Sequence, residues 1–239
     1  RDVTGVQTCA LPISSVDLNQ PELMLRSVAD ALAINHLSCI AIGPGLGISQ
    51  EALQCLEQVL SAKVPLVIDA DALNLAASSA QIKNQLKQSV TEKILTPHPA
   101  EAARLLGVTT PSIQANRIAA AQKIADEFNA HVVLKGAGSI CASPRSAWNI
   151  NTTGNPGMAS AGMGDVLTGI ISALLSQGAL PAHALRAAVW LHGAAADQCA
   201  ATGLGPVGLT ASETITTARQ LLNAAPPPPP WVSGSHPSP

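Results

Sequence analysis

Asn155-Pro-Gly-Met-Ala-Ser-Ala-Gly-Met-Gly-Asp165 runs without interruption into the apolar segment Val166-Leu-Thr-Gly-Ile-Ile-Ser-Ala-Leu-Leu175. The stretch reads as a glycine-rich loop feeding a helix. Glycines 157, 162 and 164 let the backbone approach a ligand with no Cβ in the way. The free N–H groups at a helix start, with the helix dipole behind them, favour an anion, so the expected occupant is a phosphate with Asp165 held beside it. A carboxylate there acts as a base, or it is only the N-cap of the helix; spacing leaves both readings open.

Upstream of this loop, short β-branched runs alternate with longer Ala/Leu segments, the pattern of βαβ units around a parallel sheet. Cys39-Ile-Ala-Ile42 reads as a strand ending in Gly43-Pro-Gly-Leu-Gly47, followed by a helix over 49–60 with apolar residues at 52, 53, 56, 59 and 60. Leu66-Val-Ile68 ends at Asp69-Ala-Asp71, and Lys93-Ile-Leu-Thr96 is broken by Pro97-His98-Pro99 before a helix over 101–106. A long helix is expected from Ile113 to Phe128, then the strand Val132-Val-Leu134 ending at Lys135-Gly-Ala-Gly-Ser139, then a hairpin through 140–142 and 148–150. Downstream, residues 166–185 carry no Asp, Glu, Lys or Arg, but Gln177, Gly178 and Pro181 divide them into two helices rather than a membrane span. The expected architecture is α/β, a three-layer αβα domain with a mostly parallel central sheet. Every polar cluster then falls at the carboxyl end of a strand, where open α/β sheets bind ligands.

A chain of 239 residues, 47% hydrophobic, supports one sizeable core. The formal net charge of −2 supplies no basic footprint for nucleic acid and no cationic surface for a membrane, so a small-molecule partner is favoured. Aromatic residues are only 2%, which disfavours base-stacking platforms. Five cysteines without a C-x-x-C spacing suggest neither a disulfide framework nor a zinc site, and a reducing cytoplasm fits. The N-terminus lacks the charged region and continuous apolar run of a signal peptide. Residues 1–13 have no helix or strand period and read as foreign sequence that packs poorly, 14–223 as one domain, and 224–239, with five prolines at 226–230, as an extended tail.

The clusters each admit a plain and a chemical reading. Gly43-Pro-Gly45-Leu-Gly47 resembles a dinucleotide fingerprint, but Ile48 stands where its third small residue belongs, and a tight strand-to-helix turn accounts for the glycines. Asp69 and Asp71 either hold a metal-bound phosphate or cap the next helix. His98, rigid between two prolines with Glu101 in the following turn, is a positioned ligand contact or a solvated loop residue. Lys135-Gly136-Ala137-Gly138-Ser139 offers a cation, backbone amides and a hydroxyl suited to phosphate or ribose oxygens. Asn151, Thr152, Thr153 and Asn155 order substrate hydroxyls or satisfy turn backbone. His192, on an Ala-rich helix over 182–201, is expected to be packed.

Together these motifs resemble the C-terminal, kinase-like domain of the NAD(P)H-hydrate dehydratases, relatives of ribokinase. The resemblance covers about residues 20–223 and rests on Gly43-Pro-Gly-Leu-Gly47, Val67-Ile-Asp-Ala-Asp-Ala-Leu-Asn74, Leu95-Thr-Pro-His-Pro99 with Glu101, Lys135-Gly-Ala-Gly138, Gly154-Asn-Pro-Gly-Met158 and Gly162-Met-Gly-Asp165. It implies an ADP- or ATP-dependent repair enzyme for hydrated NADH or NADPH, with Mg²⁺ on the phosphates and no protein metal ligands. By the same resemblance Asp165 is the catalytic base, and Ala161, Gly162, Met163 and Gly164 form the anion hole. Lys135, Gly136, Ala137, Gly138, Ser139 and Gly164 bind the adenine nucleotide; Gly45, Gly47, His98, Asn155 and Asp165 face the hydrated cofactor. A homo-oligomer is implied. Family members begin with a further strand, Gly-rich turn and helix, here expected to be missing, so lowered stability and weak activity are expected; Ala100 replaces a common Gly. The alternatives are another ribokinase-like kinase, acting on a vitamin precursor, or a fragment that binds nucleotide without turnover.

Overall fold

The computed structural model describes residues 6–7, 17–18 and 20–224. Two short strands, β1 (Val6–Gln7) and β2 (Met24–Leu25), pair in parallel, so a strand forms inside the 1–13 segment where no strand period is visible. The rest of that segment lies outside the described residues, as does the expected tail over 224–239 apart from Ala224, which ends the last helix. After α1 (Val28–Leu32) come β3 (Ile40–Ile42), α2 (Gln50–Val59), β4 (Leu66–Ile68), α3 (Ala70–Ser78), α4 (Ala80–Gln88), β5 (Lys93–Leu95), α5 (Pro99–Leu106), α6 (Thr110–Ala115), α7 (Arg117–Phe128) and β6 (His131–Leu134). The hairpin strands β7 (Ile140–Ala142) and β8 (Asn149–Ile150) follow, then a 3₁₀ turn at Pro156–Met158 and helices α8 (Met163–Ser176), α9 (Pro181–Ala201) and α10 (Ala211–Ala224).

Strands β3 to β8 form one six-stranded sheet in sequence order, parallel from β3 to β6 and antiparallel at β7 and β8. Right-handed crossovers between strands taken in sequence order put the intervening helices on one face. Residue alternation along the strands confirms the consequence. Ile42, Leu66, Ile68, Leu95, Val132 and Leu134 pack on the side that collects Leu56, Leu73, Leu86, Leu105, Ile124 and Phe128 from α2 to α7. Val67, Ile94, Val133 and Cys141 point the other way, against Leu167, Ile171 and Leu175 of α8 and Leu185 and Val189 of α9. With no Tyr and one Phe, both layers close on aliphatic side chains. The expected three-layer αβα architecture is therefore the observed one, and no helix among the described residues is long and apolar enough to cross a membrane.

Two expectations need correction. The single helix over 113–128 is two helices, broken at Asn116 (φ −149°, ψ 77°), whose side chain accepts the Ala119 amide and starts α7 afresh. Asn competes for backbone hydrogen bonds and is a better cap than helix interior, which apolar periodicity does not register. Second, α8 starts at Met163 rather than Val166. Among the described strands β3 pairs only with β4, and its exposed Ala41 helps line an apolar trench of about 650 Å³ shared with Val166, Ile170, Leu174, Ile215 and Leu222.

Candidate active site

The start of α8 decides between the two readings of Asp165. Gly162 is the N-cap, in the left-handed region at φ 83°, and contributes no side-chain cap bond. The first intrahelical bond runs from the Val166 amide to the Gly162 carbonyl at 3.0 Å. The amides of Met163, Gly164 and Asp165 are therefore left without intrahelical acceptors at the positive end of a 14-residue helix, a site made for an anion. Asp165 sits third in the helix, so it is not the cap. It is exposed, and it forms no hydrogen bond or ion pair among the described residues. Partial desolvation, and then the like charge of Asp69, push its carboxyl above the ordinary range, against the opposing pull of Lys135.

Lys135 closes β6 and turns its ammonium back into the cleft. Nζ lies 2.8 Å from Asp69 Oδ1 and 3.9 Å from Glu101 Oε2. A Cβ on Gly164 would stand 3.3 Å from that Nζ and 3.8 Å from Asp69 Oδ2, so the α8 amides lie directly over the Lys–Asp pair. Three strand ends thus converge on the first turn of one helix: β4 through Asp69, β5 through the Pro97-His98-Pro99 turn, whose Pro97 carbonyl accepts the Lys135 amide at 2.9 Å, and β6 through Lys135. Asp69 is 1% exposed and also accepts the Thr168 hydroxyl from α8 at 2.8 Å.

The loop after Lys135 is held from outside. Arg117, the first residue of α7, donates to the carbonyls of Ala137 (2.6 Å), Leu134 (3.3 Å) and Lys135 (3.5 Å). At Gly136 (φ 144°) any Cβ would crowd that guanidinium, which explains the glycine. The Ser139 hydroxyl donates to the Gly136 carbonyl at 3.1 Å, closing the loop on itself, so it is committed to shaping the loop.

Gly43 has no room for a side chain: a Cβ there would overlap the Asp69 carbonyl. Gly45 and Gly47 have positive φ (66° and 74°), are exposed and face open space, and the Gly47 amide donates to Asp71 Oδ2 at 2.9 Å. Asp69 and Asp71 thus both bond backbone amides, Asp69 that of Ala70. His98 is the N-cap of α5: its Nδ1 accepts the amides of Ala100 and Glu101, and Glu101 reaches back to the His98 amide in a capping box. Nδ1 as acceptor puts the ring proton on Nε2, 3.2 Å from Glu101 Oε1. Burial and the nearby cations Lys135 and Arg104 lower its pKa, so the half-exposed ring meets a ligand as neutral imidazole. Asn155 belongs to a separate knot, with its amide nitrogen on Asp197 of α9 and its oxygen on the Gly157 amide. Its side chain is spent on holding the loop.

The structure therefore brings Lys135, Gly164, Asp165, Glu101 and His98 into one cleft, with Gly43 to Gly47 at its rim through Asp69 and Asp71. Arg117, Thr168 and Asp197 escaped sequence reasoning. Thr168 is one of two hydroxyls in the apolar run after Asp165, with Ser172, and its i+3 spacing from Asp165 is the one signal available; Arg117 and Asp197 have none, because their partners are 17 to 43 residues away. Among the described residues no three His, Cys, Asp or Glu side chains group as a metal site.

Comparison with known proteins gives consistent results. A family model described as NAD(P)H-hydrate dehydratase matches residues 2–217. The ADP-dependent (S)-NAD(P)H-hydrate dehydratase of Neisseria meningitidis serogroup B is 46% identical over 206 residues, 85% of this chain and 69% of that protein. Among solved structures, the Bacillus subtilis ADP/ATP-dependent NAD(P)H-hydrate dehydratase co-crystallised with ATP/Mg²⁺ superposes with a TM-score of 0.75 at 32% identity, over 85% of this chain and 72% of that one. A ribokinase-like superfamily protein from Enterococcus faecalis superposes at 0.69 with 28% identity, over 84% of this chain and 71% of that one. The chain spans about two fifths of the length of longer relatives such as the bifunctional NAD(P)H-hydrate repair enzyme of Coxiella burnetii, of which it covers 41%.

Proposed function

Because this chain belongs to the NAD(P)H-hydrate dehydratase family, we propose that its strand-end cleft returns hydrated NADH or NADPH to the dihydronicotinamide, with ADP or ATP as phosphoryl donor. The observation that carries the reading is the unpaired, exposed Asp165 carboxylate, set among free helix-start amides over the Lys135 ammonium. The hydrated ring carries a hydroxyl added across its 5,6 double bond. Asp165 takes the proton from that hydroxyl as its oxygen attacks the donor's terminal phosphorus and the bond to the donor's bridging oxygen breaks. The developing negative charge meets the amides of Ala161 to Gly164 and the dipole of α8, where most catalysis of such transfers resides. The ring C–O bond of the resulting ester then breaks, phosphate leaves with its electron pair, and the neighbouring ring carbon loses a proton to water, restoring the double bond.

Lys135 and the 136–139 loop are assigned to the nucleotide, the loop through its backbone amides. Gly45, Gly47 and the neutral His98 ring are assigned to the hydrated cofactor. The family implies Mg²⁺, and the residues here fit an ion carried on phosphate oxygens and water: Asp69 is enclosed and fully bonded, and Glu101 is 4% exposed and engaged by His98. When bound, such an ion supplies charge neutralisation on the donor phosphates. The cytoplasm as location and a homo-oligomer as assembly are part of the same proposal; Cys39, Cys55, Cys141 and Cys199 are free thiols, as a reducing compartment keeps them.

The test is to incubate the chain with hydrated NADH and ADP or ATP and to follow the return of dihydronicotinamide absorbance. Asp165→Asn is expected to lose about 10²–10⁴-fold in kcat while nucleotide binding survives. Retained turnover removes Asp165 as base; accumulation of a stable phosphorylated product points instead to a small-molecule kinase.

A further inference from the structure

The buried Asp69 carboxylate makes more bonds than a cap requires. Its Oδ1 accepts from Lys135 Nζ and from the Ala70 amide, both at 2.8 Å, and its Oδ2 accepts the Thr168 hydroxyl at 2.8 Å. At 1% exposure it cannot touch substrate. Burying a charge is costly unless it is paired and hydrogen-bonded, so a chain that needed only adhesion here would do as well with apolar side chains. Its partners are two functional elements. Lys135 ends β6, two strands away with β5 between. Thr168 lies three residues beyond Asp165, on the same face of α8.

We propose that Asp69 is the positioning residue of the transfer step, fixing the Lys135 ammonium and the first turns of α8 at one separation so that donor phosphate and Asp165 meet in register. The inference rests on the phosphoryl-transfer reading of the cleft. Among the described residues Asp69 is hydrogen-bonded to the donor half through Lys135 and to α8 through Thr168, so these two links can be perturbed separately. The charged groups bearing on Asp165 are Asp69 from β4 and Lys135 from β6, with Glu101 and His98 of α5 behind Lys135. Like charge at Asp69 raises the Asp165 pKa, in keeping with the geometry.

The experiment compares the full chain with Asp69→Asn, Thr168→Val and Thr168→Ser, each checked for folding by circular dichroism. Thr168→Val is expected to lower kcat about tenfold and to leave the nucleotide KM within about twofold, because Lys135 keeps its partner. Thr168→Ser, which restores the hydroxyl, returns kcat to within about threefold of the parent. Asp69→Asn raises the nucleotide KM and lowers kcat together, and in ¹³C NMR titration the Asp165 carboxyl pKa falls by about half a unit or more. An unaltered kcat in Thr168→Val, a Ser variant no better than Val, or an Asp165 pKa that does not move in Asp69→Asn each overturns the proposal. The titration needs no turnover, so a parent chain inert toward hydrated NADH refutes the functional reading, and with it the transfer step, while the titration still decides whether Asp69 acts on the Asp165 carboxyl. If Asp69→Asn does not fold, the Thr168 pair decides it.

Discussion

Asp165 and Gly43 show how one residue's role depends on its immediate geometry. Asp165 follows a glycine and precedes an apolar run, which suits a cap as well as a base. Moving the helix start three residues upstream makes Gly162 the cap and leaves the carboxylate free. Since desolvation and Asp69 hold its pKa above the ordinary carboxylate range, the acid limb of kcat/KM against pH is expected at higher pH than for a solvated Asp. The base works only when deprotonated, so activity falls as pH drops through that raised value. A limb at or below an ordinary Asp pKa of about 4 contradicts this assignment. Gly43→Ala is expected to cost more than about 2 kcal/mol, because the residue sits at φ 130° and its Cβ would overlap the Asp69 backbone carbonyl. Chemical denaturation measures it; a loss below about 0.5 kcal/mol means that the β3–β4 strand ends separate readily enough to admit a Cβ.

At the scale of elements, α9 carries a second pH-dependent feature. His192 is 4% exposed, its Nε2 has no hydrogen-bond partner, and burial lowers its pKa from 6.5 to about 4. Above about pH 6.5 the imidazole is neutral in both folded and unfolded chains and contributes no pH dependence. Between pH 6.5 and about 4 only the unfolded chain takes the proton, so stability declines, by up to about 3 kcal/mol from this group. His98 and His131 are shifted the same way and add to the slope. His192→Leu is expected to flatten the dependence of the melting temperature on pH over that interval; an unchanged slope assigns it to the other histidines. The α6–α7 break belongs to this scale too. Asn116 ends one helix and caps the next, which places Arg117 at the head of α7, where it can reach the 134–137 carbonyls.

Across the whole molecule, stability is unevenly distributed. The α9 face seals the sheet, whereas α10 and the outer part of α8 face the apolar trench beside β3. Leu185→Ala, at 1% exposure, is expected to cost about 2–5 kcal/mol, and Ile215→Gln, at 51% exposure on the trench wall, less than about 0.5 kcal/mol. Comparable losses in urea unfolding of the two variants indicate that the trench is closed in solution.

The strand runs, the glycine turns and the placement of every cluster at a strand's carboxyl end were readable from residue order, because hydrophobic period and turn chemistry are local. So was membership of the cleft for Lys135, Gly164 and Asp165, each adjacent to its own strand or helix end. Residue order also carried the αβα class, through the alternation of short and long segments. Tertiary structure alone decided that Asp165 is not a cap, that His98 and Asn155 spend side-chain atoms on helix and loop starts, and that Lys135 is tied to Asp69 and, through it, to Thr168. The Asp69 contacts join residues 66 and 99 positions apart and Asn155 meets Asp197 42 positions away, while the Asp165 result turns on a helix start three residues earlier and the His98 cap on a local choice of side-chain rotamer. A linear pattern specifies which face a side chain takes, but the partner it meets there is set by how the sheet stacks its strand ends.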